Sequence, residues 1–99
     1  MTLPELQKMI RDIYGAKDAS RGAEGTFMWF MQEVGELATA LRSGTPQETA
    51  HEFADVLAWL ATLANIANVD LDQAMTEKYG AGCPGCRKSP CSCARTEKP

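Results

Sequence analysis

Two pairs of acidic residues have the types and spacing to bind a metal ion. Glu33 and Glu36 form one pair, and Glu52 and Asp55 form the other. The members of each pair are three residues apart, so on a helix both side chains lie on the same face. Carboxylates gathered in apolar surroundings repel one another unless a cation lies among them. Because carboxylate oxygens are ligands that Mg²⁺ prefers, the spacing predicts a magnesium site.

A predicted turn at Gly44 relates the two pairs. Glu33 and Asp55 are equally distant from Gly44 along the sequence, and so are Glu36 and Glu52. A helical hairpin folded about this glycine would bring each acid level with a partner. Segments 31–37 and 52–57 are otherwise largely apolar and contain no Lys or Arg. The alternative is that these acids are solvated helix residues, because Glu favours helices and this spacing also arises by chance.

A second candidate metal site is formed by four cysteines near the end of the chain. They lie close together in the sequence, in the segments Cys83-Pro84-Gly85-Cys86 and Cys91-Ser92-Cys93. Four thiolates suit Zn²⁺ in tetrahedral geometry, and such a closed site is structural because no position remains for water. In a reducing compartment this pattern favours a metal clip over disulfides. The sequence therefore predicts a zinc knuckle, with a flexible thiol tail or disulfides as the alternatives.

Helices must position the acids, because apolar residues recur at steps of three and four and no segment alternates as a strand does. Four helices are predicted, over about Pro4 to Tyr14, from near Thr26 to before Gly44, from Thr45 to about Asn68, and from Asp70 to Tyr79. A polar, glycine-punctuated loop is predicted over Ala16 to Gly25. N-cap residues are expected at Thr2, Thr45 and Asp70, each followed three residues later by Glu or Gln.

The predicted fold class is all-α, an antiparallel helical bundle of about four helices. The second and third helices carry apolar residues on more than one stripe, which a chain of 99 residues could not bury alone. We therefore expect a homodimer or homotetramer to complete the bundle, unless the two shorter helices cover this surface. The predicted domains are a helical domain over 1–82 and the cysteine-rich tail over 83–99.

Composition excludes several classes of partner. The net charge of −3 provides no basic field for a nucleic acid polymer. No segment approaches the roughly 20 apolar residues that a membrane helix needs, and the N-terminus lacks a basic leader followed by an apolar run. We expect a cytoplasmic protein.

The acidic motifs resemble those of a known family. The run Gln32-Glu33-Val34-Gly35-Glu36, followed after a spacer by Glu52-Phe53-Ala54-Asp55, is similar to the EExxE and ExxD motifs of MazG-like nucleotide pyrophosphohydrolases, in the all-α NTP pyrophosphatase superfamily. The similarity covers roughly Leu3 to Gly82. It implies magnesium-dependent hydrolysis of (d)NTPs to (d)NMPs and pyrophosphate, with nucleotide-pool housecleaning as an implied role. It also implies assembly as dimers or tetramers.

By this resemblance, the magnesium ligands are Glu33, Glu36, Glu52 and Asp55. Glu33 and Glu36 are also the catalytic candidates, because a carboxylate not committed to metal could orient or deprotonate the attacking water. The chain departs from the family motif at Gln32, which replaces the first Glu of EExxE and carries no charge.

The substrate-binding candidates are Lys78 and Trp59. Lys78 matches a lysine that contacts phosphate in many relatives, but Gly82 stands where those relatives carry Asn. Trp59 occupies a position where relatives place an aromatic residue near the nucleotide. The alternatives are a lysine that stabilises the end of a helix and a tryptophan that belongs to the core.

Two other functions compete with this interpretation. A di-iron carboxylate bundle would require a Glu-x-x-His motif, and the single histidine, His51, is adjacent to Glu52 instead. The other alternative is a non-catalytic, zinc-stabilised helical oligomerisation or adaptor module. Release of pyrophosphate from nucleotides would distinguish the enzyme from the adaptor.

Overall fold

The computed structural model describes residues 1–98. Within them the chain is all-helical, without strands, and comprises α1 (Leu3–Ser43), α2 (Pro46–Ile66) and α3 (Leu71–Tyr79). The all-α prediction is confirmed. The predicted count of four helices is not confirmed, because the first two predicted helices form the single element α1.

The three predicted N-caps are confirmed. Thr2 and Glu5 form a reciprocal capping box, with the Glu5 N–H donating to Thr2 Oγ1 at 3.2 Å and the Thr2 N–H donating to Glu5 Oε1 at 2.9 Å. Thr45 caps α2 by accepting from the Glu48 N–H, with Pro46 at the first helical position. Asp70 caps α3. These local bonds satisfy N–H groups that a helix start leaves without intrahelical partners.

The loop predicted over Ala16 to Gly25 is wrong. Helical hydrogen bonding continues past Gly15, and the only residue inside α1 with non-helical dihedral angles is Gly22, at φ 78° and ψ 174°. This left-handed φ is one that glycine adopts without strain, so α1 bends here. A helical glycine costs only about 1 kcal/mol relative to alanine, and contacts with α2 outweigh that cost in this segment.

The helices α1 and α2 pack as a hairpin joined at Gly44 and Thr45, and both segments of α1 contact α2. Its N-terminal segment contributes Leu6 and Ile10 to a small core around Ala61, which is completely buried. The side chain of Gln7 donates to Asn65 Oδ1 at 3.0 Å. This hairpin positions the acidic residues.

The chain divides into two compact units, Met1–Val69 with α1 and α2, and a second unit that begins at Asp70 and contains α3 and the cysteines. Many large apolar side chains of the first unit are exposed, including Phe27, Met28, Trp29, Leu41, Phe53 and Leu57. Oligomerisation is not confirmed, but this is the surplus of apolar surface that the sequence predicted. None of the helices in residues 1–98 is long and apolar enough to cross a membrane.

Candidate functional site

Three of the four predicted magnesium ligands converge. Glu33 and Glu36 project from α1 and Glu52 from α2, and one carboxylate oxygen from each lies within 4.8 Å of the others. The i,i+3 spacing places the two α1 acids on one face, and the hairpin brings Glu52 to them. The arrangement offers hard oxygen ligands from two helices to one cation.

Two oxygens of this cluster lack partners. Glu33 Oε2 and Glu52 Oε2 are buried, and neither accepts a hydrogen bond from any described residue. A buried carboxylate oxygen without a partner is costly, because it loses its hydration and gains nothing in return. A divalent cation would supply the missing interaction for both atoms, so the donor set fits Mg²⁺.

The electrostatics of the cluster agree with this fit. Burial raises the pKa of Glu33 to about 7, assisted by a hydrogen bond with Glu36 and by the charges of Glu36, Asp55 and Glu52. Burial, followed by the charges of Glu36 and Asp55, also raises the pKa of Glu52, while His51 acts in the opposite direction. Glu33 and Glu52 therefore resist ionisation until a cation compensates their charge.

Asp55 lies outside the convergent trio, although its charge acts on two of its members. It is exposed and lines a cavity of about 280 Å³ in the first unit. A second cavity of about 380 Å³ has Glu36, Glu52 and His51 in its walls, close to the turn at Gly44. The acids thus border space in which a substrate could lie.

The cavity at Asp55 is lined by cationic and aromatic groups. Its walls are formed by Ile10, Tyr14, Lys17, Asp18, Arg21, Asp55, Ala58, Trp59 and Thr62. The Arg21 guanidinium lies 4.8 Å from the centroid of the Trp59 ring, and Trp29 stacks on Trp59 at 6.2 Å with an interplanar angle of 13°. Trp59 is therefore neither a fully buried core residue nor a free ring, because it borders the cavity and contacts two side chains.

Asp18 and Thr62 were missed by sequence reasoning. Asp18 is 6% exposed, accepts from Arg21 Nη1 at 2.8 Å, and accepts from Thr62 Oγ1 at 3.1 Å. Arg21 also donates to Thr26 Oγ1, a completely buried group. This network fixes Arg21 beside Trp59. The i,i+3 spacing of Asp18 and Arg21 was a helical signal, but the nearby glycines favoured a loop.

Lys78 lies in the last turn of α3, in the second unit, with its Nζ 5.7 Å from the centroid of the Tyr79 ring. Gly82 has φ 106°, and a Cβ there would lie 2.8 Å from the carbonyl carbon of Lys88. A side chain at this position does not fit the turn. The local geometry of this turn thus requires glycine at position 82.

The four cysteines converge as predicted. The four Sγ atoms all lie within 4.8 Å of one another. The Sγ–Sγ distance is 3.8 Å between Cys83 and Cys93 and 3.9 Å between Cys86 and Cys91. All four thiols are free, because a disulfide requires a separation of about 2.05 Å. The cluster could hold a metal ion.

The cysteine sulfurs differ in their hydrogen bonds. The Ser92 N–H donates to Cys86 Sγ at 3.3 Å and lowers the pKa of Cys86 to about 6. The backbone N–H of Cys86 lowers the pKa of Cys83. Hydrogen bonding to neighbouring sulfurs, first of all Cys91, raises the pKa of Cys93 to about 12. The backbone thus favours thiolates on the first pair of cysteines.

Comparison with known proteins identifies one family. The family model of the MazG nucleotide pyrophosphohydrolase domain matches residues 21–86. This match includes all four acids, Trp59 and Lys78, and it ends before Cys91 and Cys93. No curated protein matches the chain.

Proposed function

This chain belongs to the MazG nucleotide pyrophosphohydrolase family, and we propose that it hydrolyses (d)NTPs to (d)NMPs and pyrophosphate in a magnesium-dependent reaction. The family supports nucleotide pyrophosphohydrolase activity on a nucleoside triphosphate. The magnesium dependence, the products and a role in removing aberrant nucleotides are our proposal. We assign the reaction to residues 1–82, and we propose that residues 83–99 take no part in it.

One observation carries this proposal. Glu33, Glu36 and Glu52 converge from two helices, and two of their buried oxygens have no partner among residues 1–98. These three residues, together with Asp55, would hold the metal ion. When bound, Mg²⁺ neutralises charge on the polyphosphate and lowers the pKa of a bound water.

The catalytic carboxylates are Glu33 and Glu36. Either of them, when it is not fully committed to the cation, can accept a hydrogen bond from the attacking water and take its proton. Both residues remain candidates for this step.

The nucleotide would lie along the cavity that Asp55 borders. Trp59 offers aromatic surface to a base, and Lys17 and Arg21 place positive charge in the same cavity. Arg21 is held by Asp18, so its guanidinium is positioned before substrate arrives. Lys78 remains a proposed phosphate-binding residue on α3.

Product analysis tests the proposal. With Mg²⁺ and a panel of canonical and modified (d)NTPs, we expect equal amounts of nucleoside monophosphate and pyrophosphate, measured by chromatography and a pyrophosphate assay. Glu36→Gln should abolish turnover. Glu24→Gln, at an exposed acid on the same helix, is the matched control and should keep it. Absence of turnover in the unmodified protein would favour the adaptor function, and release of orthophosphate would contradict the proposed bond cleavage.

We also propose a homodimer or homotetramer in the cytoplasm. The support for the oligomer is the exposed apolar side chains of α1 and α2, such as Met28 at 71% and Leu41 at 61% exposure. Sedimentation equilibrium should give a mass two or four times that of the chain. A monomer at micromolar concentration would contradict this assembly.

A further inference from the structure

We propose that Cys83, Cys86, Cys91 and Cys93 bind one Zn²⁺ ion in a closed structural site that is separate from the proposed catalytic centre. A Zn–S bond of about 2.3 Å in tetrahedral geometry requires sulfurs about 3.8 Å apart. Cys83 and Cys93 are separated by 3.8 Å, and Cys86 and Cys91 by 3.9 Å. These two separations match the edge length of such a tetrahedron, and all four sulfurs lie within 4.8 Å of one another.

Backbone N–H groups support the sulfurs. Gly85 donates to Cys83 Sγ, Ser92 to Cys86 Sγ, and Cys93 to Cys91 Sγ, each at 3.3 Å. N–H donors aimed at sulfur stabilise negative charge on it and fix its orientation, as the outer partners of metal ligands commonly do. This support distinguishes the cluster from four thiols that lie together by chance.

The two cysteine pairs are joined by a defined turn. The Arg87 N–H donates to the Cys83 carbonyl at 2.6 Å, and the Cys83 N–H donates to the Lys88 carbonyl at 3.0 Å. Gly82 allows the Lys88 carbonyl to approach closely, because any Cβ there would clash with it. The ligand loop is thus closed by its own backbone directly after α3.

Local charge also suits a zinc tetrathiolate. Four thiolates and Zn²⁺ together carry a charge of −2, which needs compensation in a partly buried site. The sequence places Arg87 and Lys88 between the two cysteine pairs and Arg95 just after them, with no acidic residue from 83 to 96. This positive segment favours the anionic centre electrostatically.

The site is closed and lies outside the reaction. All four tetrahedral positions are taken by protein, so none remains for water or a phosphate oxygen. Two of the ligands, Cys91 and Cys93, lie beyond the segment that the family model matches. The ion therefore stabilises the turn after α3.

Metal analysis of the full chain tests the proposal. After purification under reducing conditions, elemental analysis by mass spectrometry should find one zinc per chain, and replacement by Co²⁺ should give the visible spectrum of a tetrahedral thiolate site. Cys91→Ser should lower the zinc affinity by more than about 100-fold, since losing even an outer partner of a ligand costs 10- to 100-fold. Ser89→Ala, an exposed non-ligand in the same loop, should retain one zinc.

Three results would overturn the proposal. They are a fully reduced chain that binds neither Zn²⁺ nor Co²⁺, iron in place of zinc, and disulfides that persist as the native state. Far-UV circular dichroism of Cys91→Ser establishes whether this variant folds. If it does not, the metal content of the unmodified chain still tests the proposal. Because these measurements do not involve nucleotides, they can contradict the zinc proposal while pyrophosphate release supports the proposed function. The opposite outcome is equally possible.

Discussion

The acidic cluster and the cysteine cluster are both candidate metal sites, but they are built in different ways. Glu33 and Glu36 lie on one helix and Glu52 on the next, so tertiary packing brings the ligands together. The cysteines lie within one short segment, 83–93, and converge through one local turn. The first cluster has two buried oxygens without partners, whereas backbone N–H groups satisfy sulfurs of the second. The carboxylates are thus an incomplete ligand set, whereas the four cysteines form a complete one.

This difference predicts different roles. Carboxylates that leave positions to water and phosphate allow the cation to meet a substrate, as magnesium sites commonly do. A tetrahedral set of four thiolates leaves nothing open and serves stability. Independent perturbation of the two clusters should therefore give separate effects.

The largest expected effect is on turnover. Glu52→Gln removes one proposed ligand charge, and we expect pyrophosphate release at saturating Mg²⁺ to fall at least about 100-fold, because loss of a ligand exceeds loss of its outer partner. Zinc content, measured on the same sample, should stay at that of the unmodified protein. A parallel loss of zinc would show that the two clusters are coupled.

The next effect concerns the buried network that holds Arg21 beside Trp59. Asp18→Asn weakens the bonds to Arg21 and Thr62 in a buried network, and we expect about 1–3 kcal/mol less unfolding free energy in urea titration. Asp12→Asn is the control, because its pair with Lys8 is exposed and contributes less than about 1 kcal/mol. Equal losses would contradict the assigned role of the buried network.

A smaller effect is the pH dependence of stability without magnesium. The folded state raises the pKa of Glu33 to about 7, so between about 4.5 and 7 it binds more protons than the unfolded chain does. The unfolding free energy should therefore fall as pH rises through this window and level off above it. Saturating Mg²⁺ should reduce the fall. Urea titrations from pH 5 to 8 test this.

The matched variant for the pH experiment is Glu33→Gln, which cannot ionise. Its unfolding free energy in the absence of Mg²⁺ should change less with pH than that of the unmodified protein. An identical slope would show that Glu33 does not cause the fall.

The smallest expected effect is that of zinc removal on turnover. Because the cysteines take no step in the proposed reaction, Cys93→Ser should change pyrophosphate release by less than about twofold at saturating Mg²⁺ and substrate. Thermal unfolding of the same variant should begin at a lower temperature, since it loses a bound ion that favours the folded state. Loss of turnover in a folded variant would overturn the separation of the two sites.

The sequence predicted the parts of this structure that local interactions determine. The N-caps at Thr2, Thr45 and Asp70 follow from side chains that bond within their own first turn. The end of α2 also has a local cause, because Asn68 tolerates its φ of 56° better than most residues. Convergence of the cysteines could be predicted for the same reason.

The sequence failed where distant contacts outweigh local preference. Gly15, Gly22 and Gly25 favoured a loop, but α1 continues through this segment and bends only at Gly22. The distant contact here is the hydrogen bond that Thr62 of α2 donates to Asp18. Thr62 lies 44 positions from Asp18, and no local pattern predicts that they meet.

Thus the sequence alone determined the types and helical faces of the four acids, and it determined the whole cysteine motif. Only the tertiary structure decided that Glu33, Glu36 and Glu52 converge while Asp55 borders a cavity. The physical reason is that residue spacing fixes which side of one helix a group occupies. The relative rotation of two packed helices depends on all the side chains between them.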